Sequence, residues 1–435
     1  MRLIRLLKND IAREAGEWVD DNIITEEQAE NICARYNVDY HHIKNISIGY
    51  RVLVSLGYFF IGLALITLIS ANWDQLPREL RMFGLIAITV TTQGVFVGQY
   101  LKGNQSSAIN GFLLGNMFFG ASIILISQIY HLGEHMPDGV FWWAIGCLPF
   151  ALLTNSRALT FQTMILANIW FLLEVNMDFY PVLFPLFIIS ALMVLIRGKQ
   201  SILLLLLIIF SLGIWMEYSL AKLWQDTHYL KLQAEHIAVS VSLFIFIYAF
   251  SHWLRLKNSV TAKDYASVLA LWSLRFTLIC MFILSFEAPW KSLIRANWEH
   301  SFSMGIIVLA FSVISLLAVA KTNCLKQIAI FITVYLLTLL FVVSSGDINQ
   351  AVYFQIICNV ALIIGGIGLI ITGIQESVSH YFFVGVVTIL LTAMLRYVDL
   401  VGNYIGGALL FMVFATILLG VAKYWKQIKL REEKS

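Results

Sequence analysis

The fold is decided by stretches such as residues 301–343, which read SFSMGIIVLAFSVISLLAVAKTNCLKQIAIFITVYLLTLLFVV. Two apolar runs are separated there by a short gap that holds Lys321 and Lys326. A transmembrane helix needs about 20 mostly apolar residues, because each residue advances the helix by about 1.5 Å across a hydrocarbon core about 30 Å thick. The stretch therefore predicts two membrane-spanning helices joined by a short cationic loop.

The same pattern fills the chain from residue 50 to residue 422. Hydrophobic residues make up 59% of the sequence and charged residues 13%, whereas soluble domains have about 45–50% and about 25%. A water-soluble globule is excluded, and the length rule predicts about 14 spans, with a range of about 12 to 14. The predicted spans are 50–71, 81–100, 107–129, 139–154, 158–173, 179–196, 201–216, 236–254, 266–286, 301–320, 327–343, 350–372, 380–395 and 402–422.

The prediction is thus an all-α integral membrane protein, built as a polytopic helical bundle. Its four regions are a cytoplasmic helical hairpin at 1–49, transmembrane regions at 50–200 and 201–422, and a basic cytoplasmic tail at 423–435. The spans at 139–154 and 158–173 are short, and the alternative is that they form one re-entrant hairpin. Either choice leaves the remaining topology unchanged.

The Lys and Arg residues predict the orientation. They occupy alternate gaps between the spans, and the other gaps are mostly acidic. The cation-rich gaps contain Lys102, Arg157, Arg197, Lys199, Arg255, Lys257, Lys263, Lys321 and Lys326. Loops rich in Lys and Arg stay in the cytoplasm, so both termini are expected inside. The cations are topology determinants, and no nucleic-acid partner is expected.

The N-terminal 49 residues form a separate small element. Leu7, Ile11 and Ala15 recur at helical spacing, and Thr25 with Gln28 forms a capping box that starts a second helix. The functional interpretation is a docking or regulatory module that binds a protein partner. The alternative is a stub that covers the first spans.

Three motifs carry a resemblance to a known family. They are Trp18-Val19 with Ile24-Thr25-Glu26-Glu27-Gln28-Ala29, then Ala71-Asn72-Trp73-Asp74-Gln75-Leu76-Pro77, then Phe119-Gly120-Ala121-Ser122 with Gln128-Ile129-Tyr130-His131-Leu132. Together they resemble the bacterial predicted membrane protein family called domain of unknown function 2157, over about residues 15–200. The family has no assigned activity. The resemblance implies a multi-pass protein of the bacterial inner membrane and no mechanism.

Arg275 is the most unusual single residue, because it falls midway through the predicted span 266–286. A charge at that depth costs roughly 2.5–3.5 kcal/mol on insertion scales and is usually paired or faces a polar cavity. Anion binding is the functional interpretation. A structural ion pair with Glu174, Glu217 or Asp347 is the alternative.

Further candidate substrate-binding residues lie at the predicted outer ends of the spans. They are Glu174, Glu217, Asp74, Gln128, Tyr130, His131, Asp347 and Arg396. Glu174 and Glu217 stand out because each directly follows an apolar run, and a protonatable carboxylate there predicts proton-coupled transport. By contrast, the amides within spans, Gln93, Asn116, Gln162, Asn168 and Asn359, are predicted to hydrogen-bond between helices.

Residues 131–135 match the letters H-x-x-E-H, in which His131, Glu134 and His135 are candidate metal ligands. In zinc peptidases this spacing places both histidines on one helix face. Here Gly133 and Pro137 make a helix doubtful, so the metal site is a weak prediction and a peptidase is not expected.

Three functional hypotheses are compatible with the sequence. The leading hypothesis is a transporter or flippase-like protein with an outward polar cavity that includes Arg275. The alternatives are a membrane-embedded enzyme acting on lipid-linked substrates and a non-catalytic envelope or signalling scaffold. No P-loop, dinucleotide glycine fingerprint or G-x-S-x-G elbow occurs in the sequence, which argues against ATPase and hydrolase chemistry. The prediction includes no cofactor, no catalytic residue and one constant partner, the lipid bilayer.

Overall fold

A computed structural model describes residues 14–16, 18–19, 21, 23–35, parts of 53–67, 77–131, 135–224, 233–322, 324–344, 347–375, 379–399, 412 and 415–416. These residues are helical or lie in the turns between helices, and none is in a strand. The all-α prediction is therefore confirmed for this part of the chain.

Eleven helices in the described ranges are long and apolar enough to cross a membrane. They are α2 Arg78–Leu101, α3 Gln105–Tyr130, α4 Pro137–Thr154, α5 Arg157–Asn176, α7 Ile202–Leu223, α8 Ala234–Arg255, α9 Val260–Leu284, α11 Ser301–Val319, α12 Leu325–Ser344, α13 Ala351–Gln375 and α14 Ser379–Asp399. The other described helices are α1 Glu26–Arg35, α6 Phe184–Arg197 and α10 Glu287–Arg295, and a 3-10 turn, Ile348–Gln350, leads into α13. The chain is thus a multi-pass membrane protein.

The 11 candidate spans of the described residues account for only part of the predicted number of about 14. The first and last predicted spans, 50–71 and 402–422, lie largely outside the described residues. The predicted span 179–196 contains a helix of only 14 residues, about 21 Å long at 1.5 Å per residue. Pro185 at the start of α6 explains this late beginning, because proline fits only the first turn of a helix.

α6 nevertheless carries the chain from one end of its helix group to the other. A Cβ built on Gly198, directly after α6, would lie 3.0 Å from the carbonyl oxygen of Asn155, in the turn between α4 and α5. Arg157 also donates a hydrogen bond of 3.0 Å to the carbonyl of Gln200. Pro181 before the helix and Pro185 in its first turn therefore shorten α6 without shortening the crossing.

The re-entrant alternative for spans four and five is not favoured. α4 has 18 residues and α5 has 20, which correspond to about 27 Å and about 30 Å. A left-handed residue, Asn155 with φ of 46°, makes the sharp turn between them. Each helix is long enough to cross the hydrocarbon core alone.

The chain divides into two compact units. The first contains residues 3–236 and the second contains residues 1–2 and 237–435. The division falls within the second predicted transmembrane region. Each unit is described below by itself.

In the first unit, α2 to α7 form a group of helices in which sequence neighbours pack side by side. Phe112 of α3 lies at the centre of a buried cluster with Ala108, Ala151 and Leu159. Gly120 of α3 lets the Trp143 ring of α4 lie against the backbone, since a Cβ there would come within 2.0 Å of the ring. Small residues in α3 thus allow close approach of bulky neighbours.

Amide side chains within the first unit hydrogen-bond between helices, as the sequence predicts. Gln93 of α2 donates to Asn116 of α3 at 3.1 Å, and Asn116 donates to Gln162 of α5 at 2.9 Å. Asn168 of α5 donates to Ser211 of α7 at 2.8 Å. In the second unit, Asn359 of α13 donates to the Ser285 carbonyl, just beyond α9, at 3.0 Å.

The second unit contains most of α8 and all of α9 to α14. Its closest helix pair is α13 with α14, where Gly366, Gly373 and Gly385 bring the two backbones together. The amphipathic helix α10 packs on α13 with Trp290 stacked on Phe354, their ring centroids 4.9 Å apart.

Near the N-terminus, the predicted capping box is present. The Thr25 hydroxyl accepts from the Gln28 amide at 3.3 Å, and the Gln28 side chain accepts from the Thr25 amide at 3.0 Å. Ala15, Ala29 and Cys33 form a small buried cluster, and burial raises the pKa of the Cys33 thiol. The predicted hairpin as a whole extends over residues 1–49, most of which lie outside the described ranges.

Candidate functional site

Glu174 is a buried carboxylate at the membrane-exit end of α5. The predicted span stopped at Leu173, but α5 continues to Asn176, so that Glu174 lies in its last turn. Its residue is only 7% exposed. Trp170, one turn earlier on the same helix face, donates from Nε1 to Glu174 Oε1 at 2.9 Å. The end of the first unit where α5 and α7 finish and α4 begins is called the Glu174 end below.

The second carboxylate oxygen of Glu174 faces the start of α4. Glu174 Oε2 lies 2.8 Å from Nε2 of His135, and the His135 ring packs edge-on against Phe179 with centroids 4.8 Å apart. Asp138, in the first turn of α4, is exposed and lies beside this pair. His135, Asp138 and Glu174 each offer one ligand atom, and the three atoms lie within 4.8 Å of one another.

A second carboxylate–imidazole pair lies at the same end. Glu217, in the penultimate turn of α7, is hydrogen-bonded to His236. The Nδ1 atom of His236 lies 2.9 Å from Glu217 Oε2. Both side chains are largely buried, at 14% and 5% exposed. The Trp224 ring packs on the imidazole with a centroid distance of 5.0 Å.

α5 and α7 run in the same direction and pack along their length. Besides the bond from Asn168 to Ser211, the Phe171 and Tyr218 rings lie 5.7 Å apart. Tyr180, after α5, shares a short hydrogen bond of 2.6 Å with Ser219 of α7. These contacts fix the spacing of the two helices at the Glu174 end.

A cavity of about 660 Å³ opens beside these contacts. Its lining is apolar along α5 and polar at the Glu174 end. The lining residues are Ile169, Leu172, Leu173, Val175, Asn176, Asp178 and Tyr218. The apolar part and the polar part together suit a molecule with a hydrocarbon portion and a polar head.

Arg275, the strongest single prediction from sequence, lies in α9 of the second unit and is half-buried. Its guanidinium lies over the Trp272 ring, 5.5 Å from the centroid, and its charge acts on the imidazole of His380 in α14. Among the described residues it forms no ion pair with a carboxylate within 4.0 Å. Glu174 and Glu217 instead pair with histidines, and the cavity described above is lined by first-unit residues.

Two other predicted residues of the second unit have local partners. Asp347 caps the 3-10 turn, where its Oδ1 accepts from the Asn349 amide at 3.0 Å. Arg396 Nη1 lies 2.6 Å from Asp399 Oδ2, and its guanidinium covers the Phe286 ring at 4.8 Å. Within the described ranges, Nε and Nη2 of Arg396 are buried without a hydrogen-bond partner.

The predicted residues at the end of α3 are exposed. Gln128 and Tyr130 lie in the last turn, and the Tyr130 hydroxyl contacts Met82 Sδ at 3.5 Å. His131 ends the helix in the left-handed conformation with φ of 52°. Asp74 lies outside the described residues, and of its N-W-D-x-L-P turn only Pro77, which directly precedes α2, is described.

The structure groups His135 with other possible metal ligands than the H-x-x-E-H pattern does. His131 ends α3 and His135 precedes α4, so the two histidines do not share a helix face as the H-x-x-E-H pattern would require. Glu134 lies outside the described residues. In the part of the chain that is described, the group of possible ligands around His135 contains Asp138 and Glu174 instead.

Sequence reasoning missed Asp138, Trp170 and His236 as members of the site. Trp170 carried a usable signal, because it precedes Glu174 by four residues and must share its helix face. Asp138 and His236 each lie in the first turn of a helix, far along the chain from the carboxylate that they approach. Only the packing of α4 on α5, and the return of the chain after α7, brings these residues to the two carboxylates.

The comparisons with known proteins agree with the sequence motifs. The model of the predicted membrane protein family DUF2157 matches residues 16–160. This confirms the resemblance, although the match ends before residue 200 and so covers α1 to the beginning of α5. No curated protein and no solved structure matches the chain.

Proposed function

We propose that this chain is a flippase-like membrane transporter that binds an amphipathic, lipid-like substrate in the cavity between α5 and α7. The observation that carries the proposal is the lining of that cavity. Ile169, Leu172 and Leu173 offer a hydrocarbon wall, and Asn176 with Tyr218 offers hydrogen-bonding groups at one end. The polar end coincides with helix ends, where lipid headgroups lie in a bilayer.

The size of the cavity supports a small ligand. Binding sites for small molecules commonly measure about 300–1,000 Å³ and combine an apolar wall with a few polar groups. Ile169 and Leu172 are 44% and 48% exposed, so the apolar wall is open to a ligand from the side of α5. A lipid can therefore enter the cavity from within the bilayer without leaving the hydrocarbon phase.

Glu217 and His236 are proposed to couple transport to protons. A buried carboxylate and imidazole 2.9 Å apart can hold one shared proton between them. Arg275 is proposed as an anion-binding residue of the second unit. The exposed residues Gln128, Tyr130 and His131 are proposed to contact the substrate headgroup outside the cavity.

The proposed setting is the bacterial inner membrane, with both termini cytoplasmic and the Glu174 end facing outward. The alternation of cationic and acidic gaps supports this orientation through the positive-inside rule. Residues 1–49 are proposed as a cytoplasmic hairpin that docks a protein partner. The buried cluster of Ala15, Ala29 and Cys33 supports a packed helix pair there.

Lipid transfer by the purified protein tests the proposal. The full chain is reconstituted into phosphatidylcholine vesicles with fluorescent phosphatidylethanolamine, and transfer between leaflets is followed by dithionite quenching of the outer leaflet. Leu172→Trp fills the apolar part of the cavity. We expect it to slow transfer about tenfold, the equivalent of losing about 1.4 kcal/mol of substrate binding.

Leu203→Trp is the matched control. Leu203 is also an exposed leucine, 67% accessible, but it lies at the opposite end of α7 from the cavity. This variant should transfer lipid at the rate of the unsubstituted protein. The proposal would be rejected if the unsubstituted protein transferred lipid no faster than protein-free vesicles do. It would also be rejected if Leu172→Trp and Leu203→Trp transferred lipid at equal rates.

A further inference from the structure

We infer that His135, Asp138 and Glu174 form a binding site for a divalent transition-metal ion, with zinc as its best representative. The site is independent of the proposed lipid transport. Asp138 and Glu174 lie on two helices that pack together, His135 lies just before the first of them, and the three ligand atoms lie within 4.8 Å of one another. An imidazole nitrogen and carboxylate oxygens are common zinc ligands.

The spacing is close to what coordination needs. Zinc binds nitrogen and carboxylate oxygen at about 2.0–2.2 Å, so two ligand atoms of a tetrahedral site lie about 3.4 Å apart. The widest separation, at most 4.8 Å, must therefore shrink by about an ångström, whereas His135 Nε2 and Glu174 Oε2, now 2.8 Å apart, must open slightly to admit the ion. Rotation of the exposed Asp138 side chain supplies most of this movement, since it lies at the open side of the group.

Glu174 is already oriented for this role. Trp170 Nε1 donates to Oε1 at 2.9 Å, which leaves Oε2 directed at the His135 ring. The Trp170 ring is held in turn by Phe141, with ring centroids 4.8 Å apart. Such an outer hydrogen bond, which fixes a ligand's orientation, is typical of metal sites.

Burial provides a second, independent reason. The Glu174 side chain is 9% exposed and the His135 side chain 24% exposed. A buried carboxylate is costly unless a positive charge or a metal compensates it. Asp138 is exposed, so water and a cation reach the site from one side while Trp170 closes the other. The described cluster provides three protein ligands, which leaves a coordination position for water or a substrate group.

The ligand set selects the class of metal. Calcium and magnesium prefer sites made entirely of oxygen, whereas imidazole favours zinc and other late first-row ions. The ion would join the beginning of α4 to the end of α5. The competing explanation is a metal-free ion pair between His135 and Glu174, with Asp138 beside it as a surface residue.

Zinc titration of the purified full chain separates these explanations. The protein is stripped with a chelator in detergent and titrated with zinc chloride by calorimetry, and bound metal is counted by elemental analysis. We expect one zinc ion per chain. Glu174→Gln should weaken binding at least about 100-fold, and Trp170→Phe about tenfold, because outer hydrogen bonds of metal ligands contribute about 10–100-fold in affinity.

Asp138→Asn keeps the test decisive if Glu174→Gln does not fold, because Asp138 is exposed and its replacement leaves the His135–Glu174 contact intact. It should also weaken zinc binding at least about tenfold. The control is Glu287→Gln, which removes a surface carboxylate paired with Lys291 at 2.9 Å and should bind zinc normally. Absence of stoichiometric zinc in the unsubstituted protein, or equal affinity in Asp138→Asn and Glu287→Gln, would overturn the inference in favour of the ion pair.

Discussion

Replacing Gly385 by alanine is expected to lower the melting temperature of the protein by about 2–6 °C. A Cβ at this position of α14 would lie 2.6 Å from the Gly366 carbonyl oxygen and 2.9 Å from the Ile370 amide nitrogen, both in α13. These are backbone atoms, which cannot rotate aside as a side chain can. The two helices must separate, and overpacking of this kind costs about 1–3 kcal/mol.

Gly368→Ala on α13 is the control for this prediction. A Cβ there meets nothing within 4 Å, and alanine stabilises a helix over glycine by roughly 0.5–1 kcal/mol. Its melting temperature should stay constant or rise slightly. Thermal unfolding followed by size-exclusion chromatography in detergent measures both variants, and equal melting temperatures would show that α13 and α14 are not in backbone contact.

Asn116→Leu is expected to destabilise the first unit by about 1–3 kcal/mol. The substitution keeps the approximate size of the side chain but removes both bonds of the chain from Gln93 through Asn116 to Gln162. Interhelical hydrogen bonds in membranes contribute about 0.6 kcal/mol each on average. The larger part of the cost comes from the buried amides that lose a partner.

Thr92→Val provides the comparison, because it also replaces a polar group in α2 by an apolar one of similar shape. The Thr92 hydroxyl donates only to the Ile88 carbonyl of its own helix at 2.7 Å. Stability is measured as resistance to a denaturing detergent. If Asn116→Leu and Thr92→Val unfold at the same detergent fraction, the amide chain does not hold α2, α3 and α5 together.

The membrane class, most span positions and the role of the intramembrane amides could be predicted from sequence. Apolar run lengths report the spans directly, and an amide within a span must find a partner because lipid offers none. The identity of the partners could not be predicted. Asn116 and Gln162 are separated by 46 positions along the chain, and only the packing of α3 on α5 brings them together.

The candidate site shows the same limit more strongly. Glu174 was a reasonable prediction, because a carboxylate that directly follows an apolar run is unusual. The H-x-x-E-H spacing instead groups its partner His135 with His131 and Glu134, because the spacing of letters does not reveal that α3 ends at Tyr130. An apolar run also does not show where its helix begins, because Pro185 belongs to the first turn of α6 and the helix starts only at Phe184.

The most direct test of the account is where a lipid binds. The reconstituted chain is illuminated with increasing mole fractions of a photoreactive phosphatidylethanolamine, and mass spectrometry locates the attached lipid. The account predicts that labelling of Leu172 and Tyr218 saturates at low lipid content, whereas labelling of Leu203 rises in proportion to lipid. Labelling that rises in proportion at all three positions would contradict a lipid-binding cavity between α5 and α7.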